Sequence, residues 1–376
     1  MNHFSFQVLY QSKLSKARVG RIITPHGVID TPGFVAVGTN GTLKALDNVA
    51  VEDIGQQLMF CNTYHLLLHP GPDVVAKAGG LHTFINRKTP LITDSGGFQV
   101  FSLMYGSVKN ELKSKGQKSF NNSVLKINEQ GVLFRSYRDG NAIELTPEST
   151  VQVQKALGAD IIIPLDELPP YHISAQKLAE SFARTHRWEK RSLDEHLKNP
   201  GKQAMYSVIH GGIDKDLRAQ SCKTLGNLPF DGHAIGGSVG KNHGEMIEML
   251  QHTVPLLPPE TPNHLLGIGD LTSIQAIVPL GIDTFDSSHP TKCARHGHFF
   301  TKDGTKKITQ TSYKYIFEPI DATCECYTCK NYTAAYLHHL YKAKEPSFNT
   351  LATIHNLTHM NKLMAWYREQ ILQGNI

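Results

Sequence analysis

Three thiols fall within six residues at Cys324-Glu325-Cys326-Tyr327-Thr328-Cys329. At that spacing they can converge on one soft cation, and a tetrahedral site then needs one more donor. His355 is the expected fourth ligand. It stands 26 positions after Cys329, room enough for a helix to turn the chain back, whereas His338 and His339 sit in the middle of that helix. Four protein ligands leave no position for water, so the zinc expected here is structural. Three buried cysteines without a metal are the alternative, although closely spaced thiols seldom serve merely as filling.

A second chemistry is written in carboxylates. Asp94-Ser95-Gly96-Gly97-Phe98-Gln99 joins an acid to two glycines, which let backbone approach a planar ligand, and to an aromatic that can stack on one. Taken alone, Asp94 could equally cap the helix that follows. The stretch Gly281 to Lys292 carries another acid, Asp286, ahead of a basic, loop-like segment. Two carboxylates of this kind suit glycosidic exchange, one attacking the anomeric carbon while the other moves protons on the leaving and entering groups.

Such groups need a frame. Eight short apolar runs each end in a polar or glycine residue and lead into a helix-like stretch: Gly33 to Val37, Leu58 to Cys61, Leu91 to Thr93, Ile161 to Leu165, Met205 to Ile209, His233 to Ile235, His264 to Leu266 and Asp283 to Phe285. Asp94, Asp166, His210, Gly236, Gly267 and Asp286 stand at or just past their ends. A doubly wound sheet alternates in the same way, but eight units favour an α/β fold of the (β/α)8 TIM-barrel type, with its site at the carboxyl ends of the strands. Thr146-Pro147-Glu148 reads as a helix start. The rhythm breaks at about 103–145, where Val124 to Ile127, Val132 to Tyr137 and Ala142 to Leu145 read as a β-insertion with turns at 128–131 and 139–140. The expected division is a catalytic barrel over 1–300 and, over 301–376, a zinc-binding subdomain with C-terminal helices packed on the barrel.

Composition sets the broad class. The 376 residues are 40% hydrophobic and 19% charged, as in an ordinary soluble globular protein. No apolar run reaches the roughly eighteen residues of a membrane span, and the start lacks the plan of a signal peptide, so a cytoplasmic location is expected. Six cysteines are too few to staple the chain, which speaks for a reducing compartment. A net charge of +5 is compatible with a polyanionic partner without requiring one.

Taken together, Asp94 to Gln99, Cys61-Asn62-Thr63-Tyr64-His65, Gly267-Ile268-Gly269, Phe285-Asp286 with Pro290-Thr291, and the three cysteines with His355-Asn356 resemble the tRNA-guanine transglycosylases of bacterial type. The blocks occur in that family's order from about Phe4 to Gln373. The resemblance implies a (β/α)8 barrel with a zinc subdomain, usually homodimeric. Its activity would be to exchange guanine, at the wobble position of tRNAs in which uracil follows, for a deazaguanine base. By motif position Asp286 would be the nucleophile and Asp94 the general acid/base. Asp166 would bind the purine edge and Phe98 would stack on the base. Gly237 would give a backbone contact, and Ser95, Gly96, Gly97, His210 and Leu266 would complete the pocket. Gly267, Ile268, Gly269, Asp270, Leu271, Thr272 and Ser273, with Thr291, Lys292, Cys293, Ala294 and Arg295, would grip the anticodon loop, with Lys292 and Arg295 supplying charge. A non-catalytic tRNA-binding zinc subunit is the other class of function within the family, and the presence of both aspartates argues against it.

The chain departs from the pattern at three places. His210-Gly211 replaces a usual glutamine-glycine, Ser238-Val239-Gly240 after Gly237 is one residue short, and Leu168 replaces a common cysteine. These changes favour queuine over its aminomethyl precursor as the incoming base. The segment 105–123, with Lys109, Lys113, Lys115 and Lys118, reads as a solvated loop, with RNA backbone contact as the alternative. Tyr332, Tyr336 and His339 match an aromatic cluster of the family's dimer interface, or else belong to the core.

Overall fold

The computed structural model describes residues 3–106, 108–115 and 123–376. Eight parallel strands close into a barrel: β1 (Gly33–Val37), β2 (Met59–Cys61), β3 (Leu91–Thr93), β4 (Ile161–Ile162), β5 (Ala204–Ile209), β6 (Gly232–Ile235), β7 (Asn263–Leu265) and β8 (Thr284–Ser287). Each pairs with its neighbour in sequence, and β8 returns to β1 through Thr284↔Gly33, Phe285↔Phe34 and Asp286↔Val35. All eight expected units are present, as a barrel and not an open sheet.

Period-two alternation sorts the side chains. Val35, Phe60, Ile92, Ile161, Tyr206, Val208 and Ala234 form one buried cluster, which Phe4, Ile22 and Ile29 join from an amino-terminal three-stranded antiparallel sheet. Their alternates Phe34, Ala36, Met59, Cys61, Met205, Ile209, Ile235 and Phe285 belong to a second, larger cluster that includes the surrounding helices. Strand β4 is shorter than the apolar run Ile161 to Leu165 predicts, because a side chain replaces its ladder. Ile163 N–H donates to Gln154 Oε1 at 3.0 Å and Gln154 Nε2 donates to Ile163 O at 2.8 Å.

Strands Val124–Ile127, Val132–Arg135 and Ala142–Leu145 form the expected β-insertion as an antiparallel sheet of their own. The middle one ends at Arg135, short of Tyr137, because Ser136 and Gly140 close a turn, Gly140 N–H donating to Ser136 O at 2.9 Å. The segment before it corrects the loop expectation: Val108–Ser114 is a helix. Its Glu111 is buried and accepts from His172 N–H at 3.2 Å, which ties the helix to the barrel, while Lys113 and Lys115 face solvent as expected. Lys118 lies outside the described residues.

Helix Pro346–Leu372 serves two cores. Phe348, Leu351 and Ala352 pack with Cys326, Cys329, Ala334 and Leu337, while Ile354, Leu357, Met360, Met364 and Ile371 pack into the cluster around the barrel. Polar pins add direction. Asn356 Nδ2 donates to His298 O and Pro290 O, and Arg368 Nη1 donates to Pro32 O at 2.8 Å.

The amino end of the barrel is held by buried charge. Arg18 donates from Nε and Nη2 to the two carboxylate oxygens of Asp283 at 2.9 and 2.6 Å, and Asp283 also accepts from Asn263 N–H. Nearby, the carboxylate of Asp160 meets His26 Nδ1 at 2.7 Å and His82 Nε2 at 3.1 Å. Those two rings stack with centroids 3.5 Å apart and planes 13° from parallel. One cation cannot lie in both ring planes, so the trio is arranged as a staple, with a hydrogen bond from His26 and a charge contact from His82, and not as a metal site. Burial pushes the Asp283 carboxyl up and Arg18 opposes it. Replacing Arg18 with Met leaves that carboxylate without its cation, and the expected cost is about 3–5 kcal/mol in urea unfolding; a loss below about 1 kcal/mol would contradict the assignment.

Candidate active site and metal centre

Because all eight strands run the same way, their carboxyl ends share one face, and the expected residues gather there. Asp94 directly follows β3, Asp166 lies shortly past β4, His210 follows β5, Gly236 and Gly237 follow β6, Gly267 follows the end of β7 and Asp286 lies in β8. Asp94 does not cap the helix that comes after it. That helix, Gly97–Tyr105, starts at Gly96 in the left-handed region (φ 91°) without a side-chain cap. Asp94 instead takes Thr63 N–H on Oδ1 at 2.7 Å, and Asn62 Nδ2 and Gln99 Nε2 on Oδ2 at 2.7 and 3.2 Å. Burial pushes its carboxyl up to about 6, against those three hydrogen bonds and with a small addition from the charge of Asp166. An edge of the residue remains open to the cleft.

Asp286 has a different environment. Its Oδ1 accepts Gly267 N–H at 2.9 Å and faces His264 Nε2 at 3.1 Å, while His264 Nδ1 meets Thr284 Oγ1 at 2.9 Å. The same alternation that turns Phe285 outward places Asp286 and Thr284 on one side of β8. Among the described residues no donor occupies Oδ2, so one oxygen is fixed and the other is available.

Between these acids lies a polar pocket. Asp166 Oδ2 faces His210 Nε2 at 3.0 Å, and Ser95 Oγ donates to Asp166 Oδ1 at 3.4 Å. Gly97 has to be glycine, since a Cβ there would come within 2.5 Å of the Asp166 carbonyl oxygen. Gly237 (φ 73°) sits against the imidazole, its missing Cβ 3.1 Å from His210 Nδ1. Phe98 presents an exposed ring, and Leu266 is half-buried beside Gly236. Leu168 lines an adjoining cleft of about 290 Å³ together with Gly97, Val100, Met104 and Asp166.

The two segments expected to hold RNA divide into outward and inward residues. Gly267 and Thr272 are exposed, with Ile268 and Leu271 partly so, whereas Gly269 is packed so that a Cβ would meet Ser287 at 2.6 Å. Asp270 and Ser273 are engaged in capping helix Leu271–Ile277, Ser273 donating its N–H and Oγ–H to Asp270 at 3.0 and 2.6 Å. In helix His289–Arg295, Thr291 and Ala294 are buried, Cys293 is half-buried against His289, and Lys292 and Arg295 reach solvent. The aromatic stripe divides: Tyr332 packs against the core around the cysteines, whereas Tyr336, 44% exposed and stacked on Tyr332 at 5.5 Å, and His339 face outward.

Cys324, Cys326, Cys329 and His355 converge as their spacing predicts, with all four donor atoms within 4.8 Å of one another. Cys326 Sγ and Cys329 Sγ lie 3.5 and 3.3 Å from His355 Nδ1. His355 Nε2 meets Phe300 O at 2.7 Å, which turns the other nitrogen, with its lone pair, toward the sulfurs. The cluster could hold a metal ion. His338 and His339 lie in helix Ala334–Ala343 as expected, and His338 bonds Ile308 O instead. Sequence reasoning assigned no role to Asn62, Gln99 or His264. Asn62 and Gln99 lay inside the blocks that carried the resemblance, but nothing in their type announces that both turn to Asp94, 32 positions after one and five before the other.

The sequence compares with known proteins over its whole length. The family model described as Queuine tRNA-ribosyltransferase matches residues 13–376. A Queuine tRNA-ribosyltransferase of Protochlamydia amoebophila is 63% identical over 376 residues, covering 100% of this chain and 97% of the relative. Proteins of the same description from Chlamydia trachomatis serovar L2 and Chlamydia felis are each 55% identical over 372 residues, covering 99% of both chains. With two carboxylates and a polar pocket at the carboxyl face of a closed barrel, a Cys3His cluster beside it and a match from end to end, the chain belongs to the queuine tRNA-ribosyltransferase family of pentosyltransferases.

Proposed function

We propose that this enzyme exchanges guanine at the wobble position of tRNAs with a following uracil for a queuosine-pathway deazaguanine base, by double displacement at the ribose. The observation that carries the reading is the contrast between its two acids. Asp286 keeps one oxygen free and the other pinned by Gly267 N–H and His264, an arrangement suited to a nucleophile. Asp94, raised to about 6 by burial, can hold or release a proton near neutral pH. In the first step Asp286 Oδ2 bonds to C1′ as the bond from C1′ to guanine breaks, and guanine leaves with a proton from Asp94. In the second the incoming base gives a proton to Asp94 and bonds to C1′, releasing the carboxylate. Two inversions at one carbon retain its configuration.

Asp166, His210, Ser95 and the Gly237 backbone would hold the base with Phe98 over its face, and Lys292 and Arg295 would meet phosphates of the anticodon loop. The base is queuine or its aminomethyl precursor; Leu168 and the shortened stretch at Ser238 favour queuine, and mass spectrometry of the wobble nucleoside after incubation with each identifies it. The cluster of three thiols and one imidazole is the donor set of a structural zinc, which would supply folding free energy and no catalytic step. The partly exposed stripe of Tyr332, Tyr336 and His339 fits a homodimer contact.

Three outcomes follow from these roles. Asp286→Asn is expected to abolish both labelled-guanine exchange and capture of tRNA on denaturing gels, since an amide is a poor nucleophile of the same shape; a trapped covalent complex in this variant would overturn the assignment. Asp94 must be protonated to expel guanine, so kcat/KM for tRNA should fall as pH rises through about 6. The isolated covalent complex should show the opposite limb for the incoming base, and two flat profiles would exclude Asp94 as the proton carrier. Elemental analysis should give about one zinc per chain for the wild type and much less for Cys326→Ala, which should also unfold at lower urea; retained zinc at unchanged stability would refute the ligand assignment.

A further inference from the structure

Arg218 is fully buried in helix Lys215–Gly226. It forms no ion pair among the described residues. Four backbone carbonyls surround it instead: Nε donates to Gly212 O at 2.9 Å, Nη1 to Ile209 O at 2.8 Å and Gly236 O at 2.9 Å, and Nη2 to Ser238 O at 3.2 Å. One carbonyl is that of the last residue of β5 and the others lie in the loops after β5 and β6, which carry His210 and Gly237. A buried guanidinium is costly, so a cation satisfied only by backbone carbonyls at two strand ends marks a place where loop geometry is being held.

The consequence is directional. In a trans peptide the C=O and the following N–H point opposite ways. Holding Gly236 O against Arg218 therefore turns Gly237 N–H away from the guanidinium. Among the described residues that N–H has no acceptor, although Gly236 N–H does, bonding Ile209 O at 3.1 Å. Gly237 is partly exposed and adjoins His210, whose Nε2 faces Asp166.

We propose that Arg218 is the positioning residue of the base pocket, locking the 236–237 peptide so that Gly237 N–H stands as a preset donor to the purine. Hydrogen bonding of the peptide carbonyl to a cation also polarises the unit and strengthens its N–H as a donor. Lysine cannot take this role, because its donors radiate from one atom and cannot span four carbonyls at two strand ends. The inference rests on reading the His210–Gly237 pocket as the base site, and its tests separate the two.

In the wild-type enzyme without base, hydrogen exchange resolved at single amides should show Gly237 exchanging freely, and saturating guanine should slow it by about tenfold or more. A Gly237 amide already protected without base overturns the proposal. Arg218→Lys, with folding confirmed by circular dichroism, should raise the KM for guanine by about tenfold or more while the KM for tRNA stays within about twofold, because only the base loop loses its reference. Its segment 236–240 should also exchange faster, with the β3 and β8 amides unchanged. Equal rises in both KM values, or an unchanged KM for guanine, would remove Arg218 from the pocket's design. A wild-type enzyme that exchanges no labelled guanine would overturn the base-exchange reading instead, and the loop exchange rates in Arg218→Lys would still decide whether Arg218 sets the loops.

Discussion

Closure of the eight-stranded ring is the constraint on which the rest depends. No strand brings more than one or two functional groups: Asp94 comes with β3, His210 with β5, Gly237 with β6 and Asp286 with β8. Only the β8 to β1 pairing, Thr284↔Gly33 through Ser287↔Ala36, turns this linear series into a circle with a centre. Parallel direction puts every carboxyl end on one face, and alternation decides which side chains enter. The opposite end is where rigidity is supplied. An antiparallel sheet contributes Phe4, Ile22 and Ile29 to the inner cluster, and Arg18 pairs with Asp283 one residue before β8 begins.

Within that ring the same chemical group is given two characters by its surroundings. Asp94 is set largely among protein atoms, and that burial raises it to about 6 in spite of three hydrogen-bond donors. Asp286 is only slightly more exposed to solvent than the core around it, yet donors are concentrated on a single oxygen. A proton carrier needs an accessible change of charge, whereas a nucleophile needs an unencumbered lone pair. The polar pocket between them is arranged through hydrogen bonds from Ser95 and His210 to Asp166, so the edge that would read a purine is ordered before any ligand arrives.

The metal cluster reaches the barrel through helix Pro346–Leu372. His355 is on the same helix as Leu357, Met360 and Met364, and Asn356 beside it binds carbonyls of 290 and 298, just past β8. Fixing His355 against three thiols therefore fixes the helix, and the helix packs on β1, the strand paired with β8, and on helix His289–Arg295, which closely follows Asp286. A structural ion placed here would act on the site through packing, without entering the chemistry.

Period and spacing were legible in the residue string because they depend only on neighbours along the chain. All eight barrel strands, the three strands of the insertion and the Cys3His set could be read from local pattern, and the strand-end positions of Asp94, Asp166, His210 and Asp286 came with them. Other features required the fold. Strand β4 is cut short by the amide of Gln154, and Asp94 accepts the first N–H of helix Thr63–Leu68 instead of capping its own next helix. The lysine-bearing segment becomes a helix anchored by Glu111, and Thr291 and Ala294 turn inward where the motif alone suggested contact with RNA. Each of these turns on a partner distant in sequence. Arg218 is the clearest case: in the sequence it is one more basic residue on a helix, and only the approach of two strand ends and their loops gives its guanidinium four carbonyls to bind. Sequence determines which side chains share a face, because periodicity is local; which atoms meet across the closed ring is decided by tertiary packing, because hydrogen bonding depends on distance in space.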